Sequence, residues 1–534
     1  MTSLHCAVIG SGPAGIACAK GLTARGFKVT ILDIGEQLPA KTDALAKELA
    51  AMPVKDWPQD VKAELSRNPT IKDPIPRKLY FGSDFAYGTD KPYAPLDSDN
   101  SAFLPSVGRG GYSTVWGAAS LPVADCDIKD WPLTRQDLEP YYREILNWMP
   151  VSGGDGTIET AYPSFTERLG RLPLDRQSEK LLADLKKSES KHNPSKFVYG
   201  EARLAVDPGR CDPCGMCLSG CPRQAIYDTS ETLNQLVDGK AVVYRPRQVV
   251  HSVNETPAGV EIIVEDLESQ SRQTLTFDAA FIGAGALGTA RLLLNSKRLF
   301  NESLTLRQSS KFLIPILRAK GVPSPWAENA LALSRVFIEF KVQGFANNWF
   351  HVQVSSMNQM MLEALNLAPG QSRSWKRFLA SPVLNRLMVA WCGIHSDHSA
   401  QISVSLSPPD TASEPPTLIS RAKETEKSVL AGKRAARTLF RNGLSYGTLF
   451  LSPMSRLSAP GTGYHCGGSF PHRHKKVSTF ETDLLGRPFD WENIYVIDGS
   501  VLPSIPATTI AFTIMANALR IATQVPIASG KSYA

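Results

Sequence analysis

Four of the nine cysteines fall within eleven residues: Cys211, Cys214, Cys217 and Cys221, the last followed by Pro222. The spacing is C-x2-C-x2-C-x3-C-P. Thiolates at these intervals can fold around one iron–sulfur cubane, while Gly215 and Gly220 permit turns that aim backbone amides at sulfur. Zinc is the poorer reading, since four thiolates for zinc usually come as two separated pairs. A metal-free loop is the other alternative. In two-cluster ferredoxins the last cysteine of such a run serves the other cluster, and no second run exists here. Cys221 therefore completes a [4Fe–4S] site, or the cluster is [3Fe–4S], or Cys126 or Cys466 supplies the fourth thiolate. The run favours [4Fe–4S]. An odd, clustered cysteine count is a poor disulfide framework.

A second run with chemistry in it lies near the start. The apolar strand His5–Ile9 enters Gly10-Ser11-Gly12-Pro13-Ala14-Gly15, a full G-x-G-x-x-G, and a helix is predicted over Ile16–Arg25. A second strand, Lys28–Leu32, ends at Asp33. Gly10 permits the tight turn, Gly12 lets backbone approach a pyrophosphate, and Gly15 allows close helix–strand packing. The helix N-terminus faces the phosphates, and Asp33 is placed for a ribose diol. The motif predicts dinucleotide binding without separating FAD from NAD. A second G-x-G-x-x-G, Gly283–Gly288, has no strand ending in an acid about twenty residues on, so it reads as a strand-to-helix turn closing the first sheet.

Both runs need a scaffold. Ala241–Tyr244, Gly259–Val264 and Thr274–Phe281 read as strands, followed by a helix over Ala286–Leu294, and residues 136–148 read as an amphipathic helix. Residues 41–100, rich in Pro, Asp and Lys, read as loops and short helices. Within 301–455, the runs Val336–Phe340, Trp349–Val354 and Ala400–Leu406 suggest a second sheet with helices between. The chain closes with a strand, Ile494–Ile497, a turn, and a helix over Ile510–Ala522, as expected if it returns to its first domain.

Several pieces recur in a specific order: the Gly10–Gly15 turn; Gly110-Gly111-Tyr-Ser113-Thr-Val115-Trp116-Gly117; Trp131-Pro-Leu with Asp137-Leu-Glu-Pro-Tyr-Tyr142; Ala280 to Gly288 with Leu292-Leu-Leu; Tyr464-His465-Cys-Gly-Gly-Ser469; and Asn493-Ile-Tyr-Val-Ile-Asp498-Gly499-Ser with Pro503 and Thr508-Thr509-Ile. In this order the chain resembles the glucose–methanol–choline oxidoreductase family. The resemblance covers both ends and the middle of the dinucleotide-binding half, and does not usefully cover 41–75 or 300–390. It implies an α/β fold, with a noncontiguous Rossmann-type FAD-binding domain and a second α+β substrate domain built on a mainly antiparallel sheet. The first would comprise 1–40, 76–160, 196–300 and 456–534, with the cysteine loop at 208–224; the second would comprise 41–75, 161–195 and 301–455.

The resemblance also implies roles. Gly110, Gly111, Ser113, Trp116 and Gly117 would lie along the flavin, and Asp498 and Gly499 would reach it from the C-terminal side. His465 would act as base on an alcohol substrate whose hydride goes to flavin N5. A neutral imidazole suits that task, because the hydride leaves easily only as the hydroxyl proton is taken. Two departures stand out. The position of the family's usual second His or Asn is Thr509, with Thr508 beside it, and a hydroxyl can hydrogen-bond but cannot serve as a second base. Where some relatives carry a flavin-bonding His, this chain has Val115, so the FAD is expected to be noncovalent.

Together, flavin and cluster predict a dehydrogenase acting on a sugar, polyol or related alcohol. Electrons would leave one at a time through the cluster to an external protein or quinone acceptor. An oxygen-using alcohol oxidase with a structural or vestigial cluster, and a flavin-holding lyase or electron-transfer protein, are the alternatives. No C-x-x-C-H haem motif occurs. His395 and His398 read as substrate-pocket or surface residues, His472 and His474 as part of a solvated basic loop, and Met357–Met361 as core or lid packing. Net charge is 58 − 51 = +7 over 534 residues, with no basic block of the kind that marks a nucleic-acid partner. There is no run of about 18 apolar residues to span a membrane, and no signal-like start, so a cytoplasmic location is expected. Oligomeric state is not legible.

Overall fold

Cys6-Ala-Val-Ile9 and Val29-Thr-Ile-Leu32 are continuous apolar runs rather than alternating ones, the pattern of strands covered on both faces. In the computed structural model they form the centre of a parallel sheet. Its strands run in the order Ile494–Val496, Ala279–Ile282, His5–Ile9, Lys28–Leu32, Val242–Arg245. The structure describes residues 4–67 and 77–526 apart from 168, 329, 369, 410, 412 and 413. The parts of the predicted ranges at 1–3, 68–76 and 527–534 lie outside the described residues. One layer on the sheet is the first helix, Pro13–Ala24, packed against the C-terminal helix Ala511–Gln524. The first helix starts three residues before its predicted start, because Pro13 fits the opening turn, where its missing N–H is not needed. The chain's last helix does return to the first domain's sheet.

One predicted strand is really two. Thr274–Phe281 divides at Asp278: Ser271–Phe277 belongs to a three-stranded antiparallel meander with Gln248–Thr256 and Gly259–Asp266, and Ala279–Ile282 belongs to the parallel sheet. The period changes at the same place, from alternating exposure to four buried residues in a row. The hinge is fixed by Asp278, whose Oδ2 accepts from the His5 amide at 2.6 Å. The strand Gln248–Thr256 was not anticipated.

Two larger sheets complete the fold. One runs Cys466–Gly467, Leu304–Gln308, Gln401–Leu406, Leu418–Lys423, Leu96–Asp99, antiparallel except at its last pairing. The other is antiparallel: Thr448–Phe450, Lys311–Arg318, Leu387–Gly393, Phe350–Ser356, Val336–Phe340, Phe197–Glu201, with Arg456–Leu457 also on the Lys311 strand. Its register sets a row of side chains across four strands: Glu339 pairs with His351, His351 with Gly393, and Gly393 with Lys311. The helix Glu426–Gly443 packs beside this sheet, sharing its apolar core. The short helices Ala40–Ala51 and Gln59–Ser66 pack with Trp57 and Phe81 against Met216 and Cys214 of the cysteine loop. Among the described residues no helix is long and apolar enough to cross a membrane.

Candidate active site and cysteine cavity

The carboxyl ends of the parallel strands open into a cavity of about 630 Å³, within the range of small-molecule sites. The glycine turn forms its floor. Gly10 has φ +97°, and a Cβ there would stand 2.5 Å from the Gly283 carbonyl oxygen. The second glycine motif thus backs the first one, as a turn closing the same sheet. A Cβ on Gly15 would collide with the Gly10 carbonyl, and one on Gly111 would come within 2.9 Å of Gly12 Cα. Backbone is therefore left bare where a pyrophosphate would lie. Ser11 Oγ donates to Asp33 Oδ2 at 2.5 Å and accepts from the Gly110 amide at 2.9 Å, so one hydroxyl ties turn, acid and loop together. Tyr244 also donates to Asp33 Oδ2, at 3.0 Å. Burial raises Asp33 to about 6, opposed by these hydrogen bonds and by Arg109.

Gly12, Asp33, Gly111, Ser113, Val115, Trp116, Gly117, Asp498, Gly499, His465 and Thr509 all line this cavity. Gly15, Gly110 and Thr508 stand behind its wall. Asp498 Oδ2 accepts from Thr289 at 2.5 Å and Oδ1 from the Ser500 amide at 2.9 Å, which fixes the turn Gly499–Val501. Thr509 Oγ1 accepts from the Leu121 amide at 3.1 Å.

The residues missed in the sequence are those of the cross-strand row. Lys311 Nζ lies 3.0 Å from His465 Nδ1, 3.1 Å from Ser309 Oγ and 3.2 Å from the Ala507 carbonyl. Two glycines make room for it: a Cβ on Gly393 would be 2.9 Å from Nζ, and one on Gly463 would be 2.6 Å from Lys311 Cε. No carboxylate of the described residues pairs with this ammonium, and burial lowers it to about 8. On the far side of Gly393, His351 Nδ1 shares a short hydrogen bond with Glu339 Oε1, and its Nε2 lies 3.0 Å from Gln353 Nε2. Burial pushes Glu339 up and His351 down, each away from its charged form. Burial likewise holds His465 well below the usual histidine range, reinforced by its cationic neighbour Lys311 and opposed by the Thr508 carbonyl. The sequence signal for Lys311 is a cation opening a strand whose next six residues are apolar, and for Glu339 and His351 it is their register.

Known proteins share parts of this arrangement. The family model for pyridine nucleotide-disulphide oxidoreductase matches residues 4–64, a stretch that holds the glycine turn, the first helix and Asp33. No curated protein sequence matches the chain. Among solved structures, the pyridoxine 4-oxidase of Mesorbium loti aligns over 98% of this chain and 99% of its own, at 15% identity and a TM-score of 0.60. The chain shares the fold of pyridoxine 4-oxidase. At that coverage the agreement extends over both halves of the chain.

A second, much smaller cavity is lined by Cys211, Cys214, Cys217 and Cys221, closed by Val206, Ala225, Ile226 and Leu331. Gly220, at φ +148°, lies against the Phe81 ring, where a Cβ would clash. The Ala225 amide donates to Cys221 Sγ at 3.2 Å, and the amides of Met216 and Ala332 point at Cys214 and Cys217. Burial raises Cys211 and Cys217 to about 12 and Cys214 to about 11, each next pushed by a neighbouring thiolate or eased by an amide. Arg335 and Arg223 each keep a buried Nε with no partner among the described residues. Cationic heads, bare N–H groups and sulfur-directed amides suit a polyanionic occupant. Among the described residues, no three His, Cys, Asp or Glu side chains converge on a single metal-ion position. Lys78 belongs to both places. It lines the larger cavity, donates to the Trp116 carbonyl at 3.1 Å, and is lowered to about 8 by burial while Cys217 and Cys221 pull it back up.

The remaining candidates are placed elsewhere. Cys466 lines the larger cavity and Cys126 sits beside Asp127, so neither borders the cysteine cavity. His472 is a correction: it is fully buried, not part of a solvated loop, with Nδ1 2.6 Å from the Asp483 carbonyl and Nε2 3.1 Å from Asn517. His474 is exposed as expected. His395 is another correction, since it is neither pocket wall nor surface. It is buried, with Nε2 3.1 Å from the Asp127 carbonyl. His398 is half-buried against Phe345, away from the larger cavity. Met357 and Met361 pack with Leu362 and Leu384, as expected of core.

Proposed function

We propose that this chain is an FAD-dependent enzyme that oxidises an alcohol carbon of a sugar, polyol or related small molecule, and passes the electrons through an iron–sulfur cluster to an external acceptor. The observation that carries the reading is the shared cavity joining the glycine turn, Asp33, the Gly111–Gly117 loop, Asp498 and the buried His465–Lys311 pair. Gly10, Gly12, Gly15 and Asp33 would hold the dinucleotide, and Gly110, Gly111, Ser113, Trp116, Gly117, Asp498 and Gly499 would frame the flavin. With Val115 in the wall, the FAD is noncovalent. When bound, the flavin supplies a two-electron acceptor for the substrate hydride.

The chain's own part is the proton. His465 takes the substrate hydroxyl proton at its ring. A charged Lys311 at 3.0 Å opposes that uptake by like-charge repulsion. A neutral Lys311 removes the repulsion and can take the proton onward from Nδ1 to Nζ, so His465 need not stay an imidazolium in a buried site. Thr509 stands in the cavity wall as a polar helper, its Oγ1 held by the Leu121 amide, with Thr508 beside it. His351 adds hydrogen-bonding capacity to the wall, held in place by its bond to the buried Glu339 behind it.

Cys211, Cys214, Cys217 and Cys221 would hold a [4Fe–4S] cluster. In a cubane each thiolate binds its own iron, so four cysteines lining one small cavity need not converge on a single ion position. The cluster supplies one-electron steps to a protein or quinone acceptor. The neighbour's name, an oxidase, supports a second reading in which oxygen is the acceptor.

The test is anaerobic. Purified protein is assayed for flavin, iron and sulfide. It is then examined by EPR before and after dithionite, and mixed with a panel of sugars, polyols and pyridoxine while flavin absorbance is followed. Bleaching by an alcohol, with a signal appearing only on reduction, supports the whole reading; a signal in the oxidised protein points to [3Fe–4S]. Absence of iron, with peroxide released in air, moves the reading to the oxidase. A flavin that no alcohol bleaches sinks the enzyme assignment.

A further inference from the structure

A short helix just before the strand Leu387–Gly393 turns an apolar stripe outward. In Arg377–Leu384 and the turn before it, Trp375, Phe378, Leu379 and Val383 fall at helical spacing on one face. They are 62%, 76%, 78% and 55% exposed. The inward anchor is the buried Leu384, packed with Leu362 and Met357. Single exposed apolar residues need no explanation, but four large ones on one short face do. The charge around them is one-sided. Between Glu363 and Asp397 the sequence carries Arg373, Lys376, Arg377 and Arg386 and no Asp or Glu. None of these four cations has an ion-pair partner among the described residues. Lys376 Nζ lies 5.2 Å from the Trp375 ring centre and the Arg377 guanidinium 5.9 Å from that of Phe378, so the cations stand directly beside the apolar tips.

We propose that this face is a docking surface for an anionic lipid bilayer. Trp375, Phe378, Leu379 and Val383 would enter the headgroup–acyl boundary while the four cations engage lipid phosphates, the pairing used by interfacial helices. Charge argues against a second copy of the chain, since a symmetric contact would set four cations against four. It also favours a negative surface over an apolar groove in a neutral protein. The helix and the cysteine cavity are linked through the chain: Trp326 packs with Ala380 and Leu384, and Leu331, five residues further along, closes the cavity. If the proposed cluster is present, electrons emerge next to a bilayer, where a lipid-soluble quinone can collect them. That extension rests on the proposed function, whereas lipid docking does not.

The experiment is co-sedimentation of the full holoprotein with phosphatidylcholine vesicles, with and without phosphatidylglycerol, at low and high salt. Binding is expected on the order of tenfold or more tighter to the anionic vesicles, and weakened by salt. The double variant Phe378→Ser/Leu379→Ser should lose it, as should Lys376→Glu/Arg377→Glu, with flavin content and circular dichroism unchanged because none of these side chains is buried. Three results would overturn the proposal: no binding to either vesicle, equal binding by wild type and both variants, or a concentration-dependent dimer that the variants abolish. A protein that binds vesicles yet holds no iron would keep the docking and remove only the electron route.

Discussion

The two cavities are built in opposite ways. The cysteine cavity draws its four thiols from eleven consecutive residues and its closure from apolar side chains. The larger cavity draws on glycine turns, strand ends and loops spread over nearly the whole chain. A local site is decided by short-range turns, so its spacing carries the chemistry. A distributed site is decided by register, and a one-residue slip of the Phe350–Ser356 strand would turn His351 away from the cavity. The two are also opposed electrostatically. Beside the thiols Arg223 and Arg335 each keep a buried Nε without a partner among the described residues, whereas at the larger cavity burial drives Lys311, His351 and, behind them, Glu339 away from their charged forms.

The sharpest break in the comparison is Gly15→Val. Its branched side chain has no space beside the Gly10 carbonyl, so purified protein should contain no flavin. Iron should be retained if the cysteine cavity folds independently of the larger one. Loss of both would show that the two sites are coupled. Cys217→Ser is the mirror test, at the most buried of the four cysteines. Protein-bound iron should fall to background and turnover with an external acceptor should cease, while an alcohol still bleaches the flavin under anaerobic conditions. Failure to bleach would place the cysteine loop in the substrate reaction itself.

Within the larger cavity, His465→Ala should slow flavin reduction by about 10²–10⁴-fold, the range for loss of a general base, with flavin content unchanged. Lys311→Met should cost less, on the order of 10–100-fold, and its signature is the pH profile. In the wild type Lys311 must lose its proton before His465 can gain one. The rate of flavin reduction should therefore rise with pH through about 8 and level off above it. Lys311→Met should flatten that rise, measured by stopped-flow reduction at saturating alcohol. A rise that survives the substitution would assign the titration to another group.

Much of this was legible from residue order. The first two strands, the glycine turn and Asp33 were readable because each is set by its neighbours in sequence. The same holds for the cysteine run and for the return of the last helix to the first sheet. His472 and His395 were misplaced because a polar sequence context says little about burial when carbonyls such as those of Asp483 and Asp127 supply the missing partners. Thr274–Phe281 was read as one strand because the switch from alternating to continuous apolar residues turns on a single residue, Asp278, with no Gly or Pro to break the run. Lys311 was invisible because its meaning comes from two glycines, Gly393 and Gly463, which lie 82 and 152 residues further along the chain (393 − 311 and 463 − 311).

The smallest expected effect concerns Thr509, which stands where the resemblance places a second His or Asn. Its Oγ1 accepts from the Leu121 amide, so the hydroxyl has a structural task as well as a place in the cavity wall. Thr509→Val keeps the shape and leaves that buried amide unpaired, at a cost of about 1–3 kcal/mol. The midpoint of thermal unfolding should fall by several degrees, while flavin reduction slows only a few-fold, because Lys311 rather than Thr509 relieves His465 of its proton. Thr509→Ser should restore both. If the valine variant instead loses activity as severely as His465→Ala with little change in unfolding midpoint, the hydroxyl is indispensable to the reaction. The division of labour within the cross-strand row would then have to be redrawn around Thr509.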